Sequence, residues 1–313
     1  MLMMAVAAAL MCGCEKELKV SDGEPDDEST GVVVNGPTKK FTFTVKGDFG
    51  SPTFRDGDQG DASVNGTGSA APSRRATTYL TDDGNQMTDL WVFDFVGDDC
   101  VQSLHQTTSD EAWGQPQMSL ALGTHHVYFV ASRGVSPVVN ATAKTITWSS
   151  VRDTYWKDYE VTVVSTSNGN RAVTLERVVA KLKLTINDEI PTGASTLTCT
   201  PASWHYGLNY TTGAPVAATS DQPITISIPS SYIGTIGQLS ASFFTVSGAD
   251  EWTTNVGVVI KDGNSTTLGS AVIANAPLKR NRSTEYSGSL FSSGGAVTVS
   301  VNGDWLSPHG GAW

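Results

Sequence analysis

Apolar and polar residues alternate with a period of two in a pair of stretches near opposite ends of the chain. One stretch reads Phe41-Thr-Phe-Thr-Val45 and the other reads Val297-Thr-Val-Ser-Val301. Because side chains on a strand point alternately to its two faces, each stretch predicts a strand with an apolar face and a hydroxyl face. The apolar faces are formed by Phe41, Phe43 and Val45 and by Val297, Val299 and Val301.

The sequence between these two stretches predicts many short strands. Residues 89–96 are apolar at nearly every position, as in a strand that is covered on both faces, and residues 123–131 predict a second such strand. Ser167-Asn-Gly-Asn170 predicts a hairpin turn, since Asn-Gly tolerates positive φ. Short strands separated by turn residues are typical of antiparallel sandwiches, so we expect an all-β protein of two tandem antiparallel β-sandwiches.

We expect four regions along the chain. The region at 14–75 contains an acidic tether, the first strand at 41–49 and a Gly- and Ser-rich loop. The region at 176–313 ends in a strand at 296–306 that carries Trp305. The predicted regions are a lipoprotein signal peptide at 1–13, a removable segment at 14–75, an N-terminal sandwich at 76–175 and a C-terminal sandwich at 176–313.

The N-terminal residues predict export and lipidation. Residues 1–11 form an apolar run that is too short to span a bilayer but suits a signal peptide. Small Gly13 directly before Cys14 resembles a bacterial lipobox, in which the cysteine is acylated and becomes the first residue. An ordinary signal peptide with incidental cysteines is the alternative. No basic residue precedes the apolar run, so we expect the translation start to lie upstream of Met1.

The dibasic pair Arg74-Arg75 predicts a cleavage site. It ends a stretch from Gly47 to Ser73 that holds almost no large apolar residue, and proteases reach such exposed loops readily. The layout suggests a first strand that can be cut off and a last strand that could take its place in another copy. The simpler alternative is that both strands belong permanently to their own sandwiches.

The charge pattern argues against nucleic acid as a partner. The net charge is −11 and the calculated pI is about 4.8, and no cluster of Lys and Arg offers a track for phosphates. Only 16% of the residues are charged, which fits an exported β-protein rich in hydroxyl side chains.

No motif points to an enzyme, a metal or a cofactor. Zinc-protease, nucleophile-elbow and phosphate-loop signatures are all missing from the sequence. Adjacent His125 and His126 point to opposite faces of a strand and cannot share a metal. The run from Asp56 to Asp61 resembles a calcium loop, but position twelve is Thr67 and no helices flank it. Cys100 and Cys199 are expected in different sandwiches and therefore unpaired.

The chain resembles the FimA-type fimbrillins, the subunit precursors of the type V pili of Bacteroidales. The order and spacing of the matching stretches carry the resemblance more than any single one. They are Cys14, Phe41-Thr-Phe-Thr-Val-Lys-Gly47, Arg75 before Ala76-Thr-Thr78, Asp89-Leu-Trp-Val-Phe-Asp-Phe95, His126-Val-Tyr-Phe-Val-Ala131, Leu175-Glu-Arg-Val-Val-Ala-Lys-Leu182, Pro277-Leu-Lys-Arg-Asn-Arg282 and Gly311-Ala-Trp313.

This resemblance implies two transthyretin-like sandwiches and a route of assembly. A lipidated precursor reaches the outer membrane, and an Arg-specific surface protease cuts in the first long loop. The freed groove accepts a strand from another copy or another pilus subunit, and the extracellular fimbrium serves adhesion to an unidentified surface ligand. Carried over, Cys14 takes the lipid, Arg74 or Arg75 is cleaved, and the C-terminal segment donates the strand.

Two other functions are compatible with the sequence. The protein could be the tip or the anchor subunit of the same pilus, although the arginine pair argues against an anchor and the tail against a tip. It could also be a glycan-binding surface lipoprotein that stacks sugars on tryptophans such as Trp113, Trp148 and Trp252.

Overall fold

The computed structural model describes residues 36–47, 81–82, 85–291 and 309–312. Apart from one turn of 3-10 helix at Ser230–Tyr232, all regular structure in these ranges is β-strand. The strands of the first half are β1 (Thr38–Gly47), β2 (Thr81–Asp82), β3 (Asn85–Gln86), β4 (Asp89–Val96), β5 (Asp99–Thr107), β6 (Gln117–Ala121), β7 (Gly123–Ser132), β8 (Val138–Asn140), β9 (Thr145–Thr147), β10 (Thr154–Val163) and β11 (Asn170–Arg177).

The second half begins directly after Val178. Its strands are β12 (Val179–Ile186), β13 (Ala194–Pro201), β14 (Gly207–Asn209), β15 (Ile224–Ser227), β16 (Ser240–Val246), β17 (Trp252–Asp262), β18 (Thr267–Leu278), β19 (Ser283–Gly288) and β20 (His309–Ala312). The expected all-β class is therefore confirmed. Within the described ranges no helix is long and apolar enough to cross a bilayer.

The first half is built on a seven-stranded sheet with the order β5-β4-β7-β10-β11-β1-β6. Strand β11 pairs with β10 only at its last two residues, and along the rest of its length it pairs with β1. The sheet therefore folds over at β11, and its two layers enclose one apolar cluster. That cluster includes Phe41, Phe43, Val45, Leu90, Val92, Met118, Leu120, Val127, Phe129, Tyr155, Val161, Val173 and Leu175.

The second half is a sandwich of two four-stranded sheets. One sheet has the order β16-β12-β19-β20 and the other the order β15-β13-β17-β18. The alternation in β12 places Ala180, Leu182, Leu184 and Ile186 in the core. They pack with residues of β13 and β17 from the opposite sheet, including Leu197, Cys199, Val256, Val258 and Ile260.

A third apolar cluster joins the two halves. Strand β14 of the second half pairs with β9, so it extends a small sheet with the order β14-β9-β8 that is otherwise formed by the first half. Tyr210, just after β14, stacks on Phe93 of β4 with ring centroids 4.0 Å apart. Phe244 and Val246 of β16 complete the same cluster. The two halves thus share a core rather than following each other as separate beads.

A buried ion pair lies in the same joint. Arg177 donates from Nε and Nη2 to the two carboxylate oxygens of Asp153, at 2.7 and 2.8 Å, and both side chains are almost fully buried. Nη1 of Arg177 donates to Oδ1 of Asn281 in the second half, and its guanidinium lies 4.9 Å from the ring centre of Tyr155. Arg177 therefore links the two halves.

Two expectations about strand pairing are wrong. The sandwiches are mixed, because β1 is parallel to β11 and β19 is parallel to both β12 and β20. The Asn-Gly turn does not close a hairpin, since β10 and β11 meet only at Tyr155 with Arg177 and at Trp156 with Glu176, far from the turn. The partner of β11 is a strand more than 100 residues away, and a local turn signal carries no information about such a partner.

Candidate functional site

Strand β1 occupies the space between two other strands of the first half. On one edge it runs parallel to β11, with Thr42 opposite Asn170 and Gly47 opposite Leu175. On the other edge its first half runs antiparallel to β6, with Thr38 opposite Ala121. We call the space bounded by β11, β6 and residues 114–116 the β1 seat.

The alternation read from the sequence determines which face of β1 enters the core. Phe41, Phe43 and Val45 have no exposed surface, whereas Thr42 and Thr44 on the opposite face are partly exposed. Burying side chains of this size stabilises a fold by roughly 1.5–3 kcal/mol each. The apolar face of β1 is thus an integral part of the first core.

Aromatic side chains form the inner wall of the β1 seat. The ring of Phe43 meets the ring of Phe129 edge to face at 5.2 Å and that of Tyr159 at 6.0 Å. The guanidinium of Arg171 lies 5.1 Å from the ring centre of Phe41, at the outer end of the seat. The seat therefore has a defined shape for large apolar side chains at positions 41 and 43.

Backbone hydrogen bonds hold β1 along both edges. Beyond β6, the N–H groups of Phe43 and Val45 donate to the carbonyls of Pro116 and Gly114, each at 3.0 Å. On the opposite edge the N–H of Thr42 donates to the carbonyl of Gly169 at 2.5 Å. If β1 left, the seat would present unpaired donors and acceptors on two edges and an uncovered apolar core between them, which is a template for another strand.

A buried His–Asp pair lies near the end of β1 where Thr38 pairs with Ala121. His125 and Asp94 are each about 1% exposed, and their Nδ1 and Oδ1 atoms are 2.8 Å apart. The other ring nitrogen of His125 is 3.0 Å from the carbonyl oxygen of Ala121. Burial alone would lower the pKa of His125, but the hydrogen bond and the charge of Asp94, together with the Ala121 carbonyl, outweigh it and raise the pKa.

A cleft lined by cations lies near the opposite end of β1. Its volume is about 380 Å³, and it lies at the joint between the halves. We call it the basic cleft; it is lined by Glu176, Arg177, Ala249, Lys279, Arg280, Asn281 and Arg282. Three of its cations, Lys279, Arg280 and Arg282, come from the short turn between β18 and β19.

Several predicted residues lie outside the part of the chain that the structure describes. They are Cys14, Arg74, Arg75, Val297, Val299, Val301 and Trp305. The described end of the chain, β20, pairs in parallel with β19 at the edge of the second sandwich, with His309 opposite Thr284. The tail is therefore docked on its own second half at this point.

The described side chains form no group that would hold a metal ion, and one of the two described thiols is deeply buried. In the described part of the chain, no group of three His, Cys, Asp or Glu side chains is placed to hold a metal ion. His126 lies on the opposite face of β7 from His125, beside Asp158. Among the described residues, Cys100 and Cys199 form no disulfide, and burial raises the pKa of the Cys199 thiol far above its ordinary value.

The tryptophans expected as sugar platforms pack into the fold. Trp148 is 4% exposed and belongs to the cluster that joins the two halves. Trp113 packs against the first core and Trp252 against the second. Trp148 is therefore not available to stack on a sugar, whereas Trp113 and Trp252 each keep part of their surface exposed.

Comparison with known families gives a match that covers more than half of the chain. The model described as "Family of unknown function (DUF6562)" matches residues 118–312, which is more than half of the chain. A search of curated proteins found no match.

Three solved structures illustrate the similarity in fold. A proposed adhesin from Bacteroides ovatus is 12% identical over 80% of this chain and 88% of its own, with a TM-score of 0.47. The tip fimbrial protein Mfa3 from Porphyromonas gingivalis is 12% identical over 61% and 76%, with a TM-score of 0.34. The fimbrial anchor protein Mfa2 from the same organism is 9% identical over 59% and 73%, with a TM-score of 0.32. Each TM-score is below 0.5, so these likenesses carry no argument about function.

Proposed function

The chain belongs to the DUF6562 family, whose function is unknown, and we propose that this member is a structural subunit of a fimbrium. It is exported as a lipoprotein precursor that Cys14 anchors in the outer membrane. An Arg-specific surface protease cuts after Arg74 or Arg75 and releases the segment that contains β1. The empty β1 seat then takes the C-terminal strand of another copy, and the polymer is extracellular and serves adhesion.

One observation carries this proposal. Strand β1 fills the first core with three fully buried side chains, yet only residues 48–80 join it to the rest of the fold. That stretch contains Arg74-Arg75, so a single cut there makes β1 a separate peptide held by non-covalent contacts alone. A strand that is both central to the core and separable by one cut suits an exchangeable plug.

The second half supplies the other part of the exchange. Val297, Val299 and Val301 alternate with hydroxyl side chains as the residues of β1 do, and Trp305 follows as a further apolar anchor. Strand β20 pairs with β19 at four positions only. Each ladder hydrogen bond contributes about 1 kcal/mol net, so detaching β20 costs less than filling the β1 seat gains.

A shaft role fits this chain better than a tip or an anchor role. A shaft subunit must both accept a strand and donate one, and here an excisable first strand and a donor-like tail occur together. An anchor would keep its lipid and its first strand. A tip would not need a donor.

Substitution on the two faces of the donor strand tests the proposal. Val299→Asp places a charge in an apolar seat and should abolish assembly after cleavage, while the precursor folds normally. Thr298→Lys on the hydroxyl face is the matched control and should still assemble. If Val299→Asp instead unfolds the precursor, the strand belongs permanently to its own sandwich and the proposal is wrong.

Lipidation has its own test. Cys14→Ala should move the precursor out of the membrane fraction, because the acyl chains supply the membrane affinity. A Cys14→Ala precursor that stays in the membrane, together with no fatty acid on the unchanged protein, would contradict this step.

A further inference from the structure

Among the described residues, the basic cleft holds more cations than ion pairs. Arg177 forms an ion pair with Asp153. Glu176, the carboxylate that lines the cleft, is paired with Lys157, whose Nζ lies 2.6 Å from its Oε1. In the described part of the chain, none of the three cations Lys279, Arg280 and Arg282 forms an ion pair with a carboxylate. In a chain of net charge −11, three unpaired cations in one cleft form a site that attracts a carboxylate.

Arg280 shows that these charges are partly removed from water. Its Nε donates to the carbonyl of Ser247 at 3.0 Å and its Nη2 to that of Gly213 at 2.5 Å. Burial lowers the pKa of Arg280, and the nearby charge of Glu176 only partly offsets this. A carboxylate entering the cleft would therefore be attracted more strongly than one at an open surface.

The basic cleft lies where a strand in the β1 seat ends. Gly47, the last residue of β1, is opposite Leu175, and the next residue of β11 is Glu176, which lines the cleft. Consecutive Cα atoms are about 3.8 Å apart, so a strand that continued in this register would bring its next residue beside Glu176. In this chain that residue is an aspartate, Asp48.

The tail repeats the sequence of β1 together with this aspartate. Residues 41–48 read Phe-Thr-Phe-Thr-Val-Lys-Gly-Asp, and residues 297–304 read Val-Thr-Val-Ser-Val-Asn-Gly-Asp. Thr, Val, Gly and Asp are identical at the second, fifth, seventh and eighth positions, and the remaining positions keep the apolar and polar alternation. The match places Asp304 at the position of Asp48.

We propose that residues 297–304 of a second copy enter the β1 seat in the direction and register of residues 41–48, with Asp304 held by the basic cleft. This inference rests on the proposed strand exchange and specifies it. The donor strand runs parallel to β11, so Ser300 lies opposite Ala172 as Thr44 does in the precursor. Lys279, Arg280 and Arg282 thereby fix the register, because a slip by one or two residues removes the carboxylate from the cleft.

Disulfide trapping tests the register. Full-length precursors with Ala172→Cys and with Ser300→Cys, both in a Cys100→Ser background, are cleaved together and oxidised. Neighbouring strands lie about 4.8 Å apart, within the range that a disulfide spans, so a crosslinked dimer should form. Thr298→Cys with Ala172→Cys is the matched control, two residues out of register, and should stay uncrosslinked.

Charge exchange tests the cleft. Arg282→Glu in the acceptor or Asp304→Lys in the donor should slow assembly by about tenfold, and the two changes together should restore much of the rate. Lys261→Glu, which removes a cation on β17 away from the cleft, should leave the rate unchanged.

The outcomes separate this inference from the proposed function. If the protein assembles but crosslinks only in the combination of Thr298→Cys with Ala172→Cys, the proposed register is wrong. The same holds if the protein assembles and Arg282→Glu has no effect on the rate. Neither result contradicts strand exchange itself. If the unchanged protein does not assemble after cleavage, strand exchange itself fails, and this inference fails with it.

Discussion

Gly169 and Lys40 are in direct backbone contact across the edge of the β1 seat. A Cβ atom built on Gly169 would overlap the carbonyl oxygen of Lys40, and no other side chain than hydrogen is accommodated there without movement of a main chain. Gly169 also offers its own carbonyl to the N–H of Thr42. The glycine of the Asn-Gly turn thus serves the approach of β1 and not a hairpin.

Gly169→Ala should therefore loosen β1. The neighbouring atoms belong to a main chain that cannot rotate away, so we expect a loss of about 1–3 kcal/mol in the free energy of unfolding of the precursor. Gly263→Ala, in a turn of the second sandwich with open space around it, is the matched control. Urea unfolding compares the two. Equal, small effects would mean that β1 does not approach Gly169 in solution.

Phe43→Ala should destabilise the precursor far more than Thr44→Ala. Phe43 is fully buried against Phe129 and Tyr159, and deleting such a ring costs about 3–5 kcal/mol, whereas Thr44 is partly exposed on the other face. The midpoints of urea unfolding measure the difference. A similar small effect of both changes would show that β1 is not part of the first core.

The His125–Asp94 pair should make stability depend on pH above neutrality. The pKa of His125 is raised in the folded protein above its ordinary value of 6.5, so the folded state holds the proton more tightly than the unfolded chain. This contribution is complete below pH 6.5 and is lost as the pH rises through the folded-state pKa.

Unfolding curves measured from pH 6 to pH 9 check this dependence. Asp94→Asn removes the charge that raises the pKa and should flatten the decline on the alkaline side. His126→Gln, on the exposed face of the same strand, should leave the slope unchanged. An identical slope in all three proteins would exclude His125 as its source.

Arg177→Met should destabilise both halves together. It leaves the buried carboxylate of Asp153 unpaired, which costs about 3–5 kcal/mol, and it also removes the bond to Asn281. Since Tyr210 and Phe93 join the halves through one cluster, unfolding should remain a single transition. The double change Asp153→Leu with Arg177→Met should recover part of the loss. Two separate transitions in calorimetry of the unchanged protein would contradict the shared core.

The sequence predicted the strands better than their partners. Alternation in Phe41 to Val45 gave the buried face of β1, because that period is a local property of the chain. The parallel pairing of β1 with β11 could not be predicted, since it joins residues more than 100 positions apart. Strand β14, which crosses to the sheet of the first half, is three residues long and leaves no period to detect.

The same limit applies to the candidate site. The apolar face of β1 was predicted, but the wall formed by Phe129 and Tyr159 depends on which strands become neighbours. The Asn-Gly pair that contains Gly169 predicted a hairpin turn, but in the structure this glycine allows β1 to approach the chain. Lys279, Arg280 and Arg282 are visible in the sequence, yet only the joint between the halves places them beside the end of β1.

Controlled cleavage of the purified precursor tests whether β1 is an exchangeable plug. The unchanged precursor and a variant with Arg74→Ala and Arg75→Ala are treated with an Arg-specific protease, and the products are examined by SDS electrophoresis without heating and by N-terminal sequencing. We expect the unchanged chain to begin at Ala76 or Arg75, to lose the peptide that contains Phe41 to Val45, and to form an SDS-resistant ladder, while the variant stays monomeric. A correctly cleaved chain that keeps its β1 peptide and remains monomeric would contradict the account.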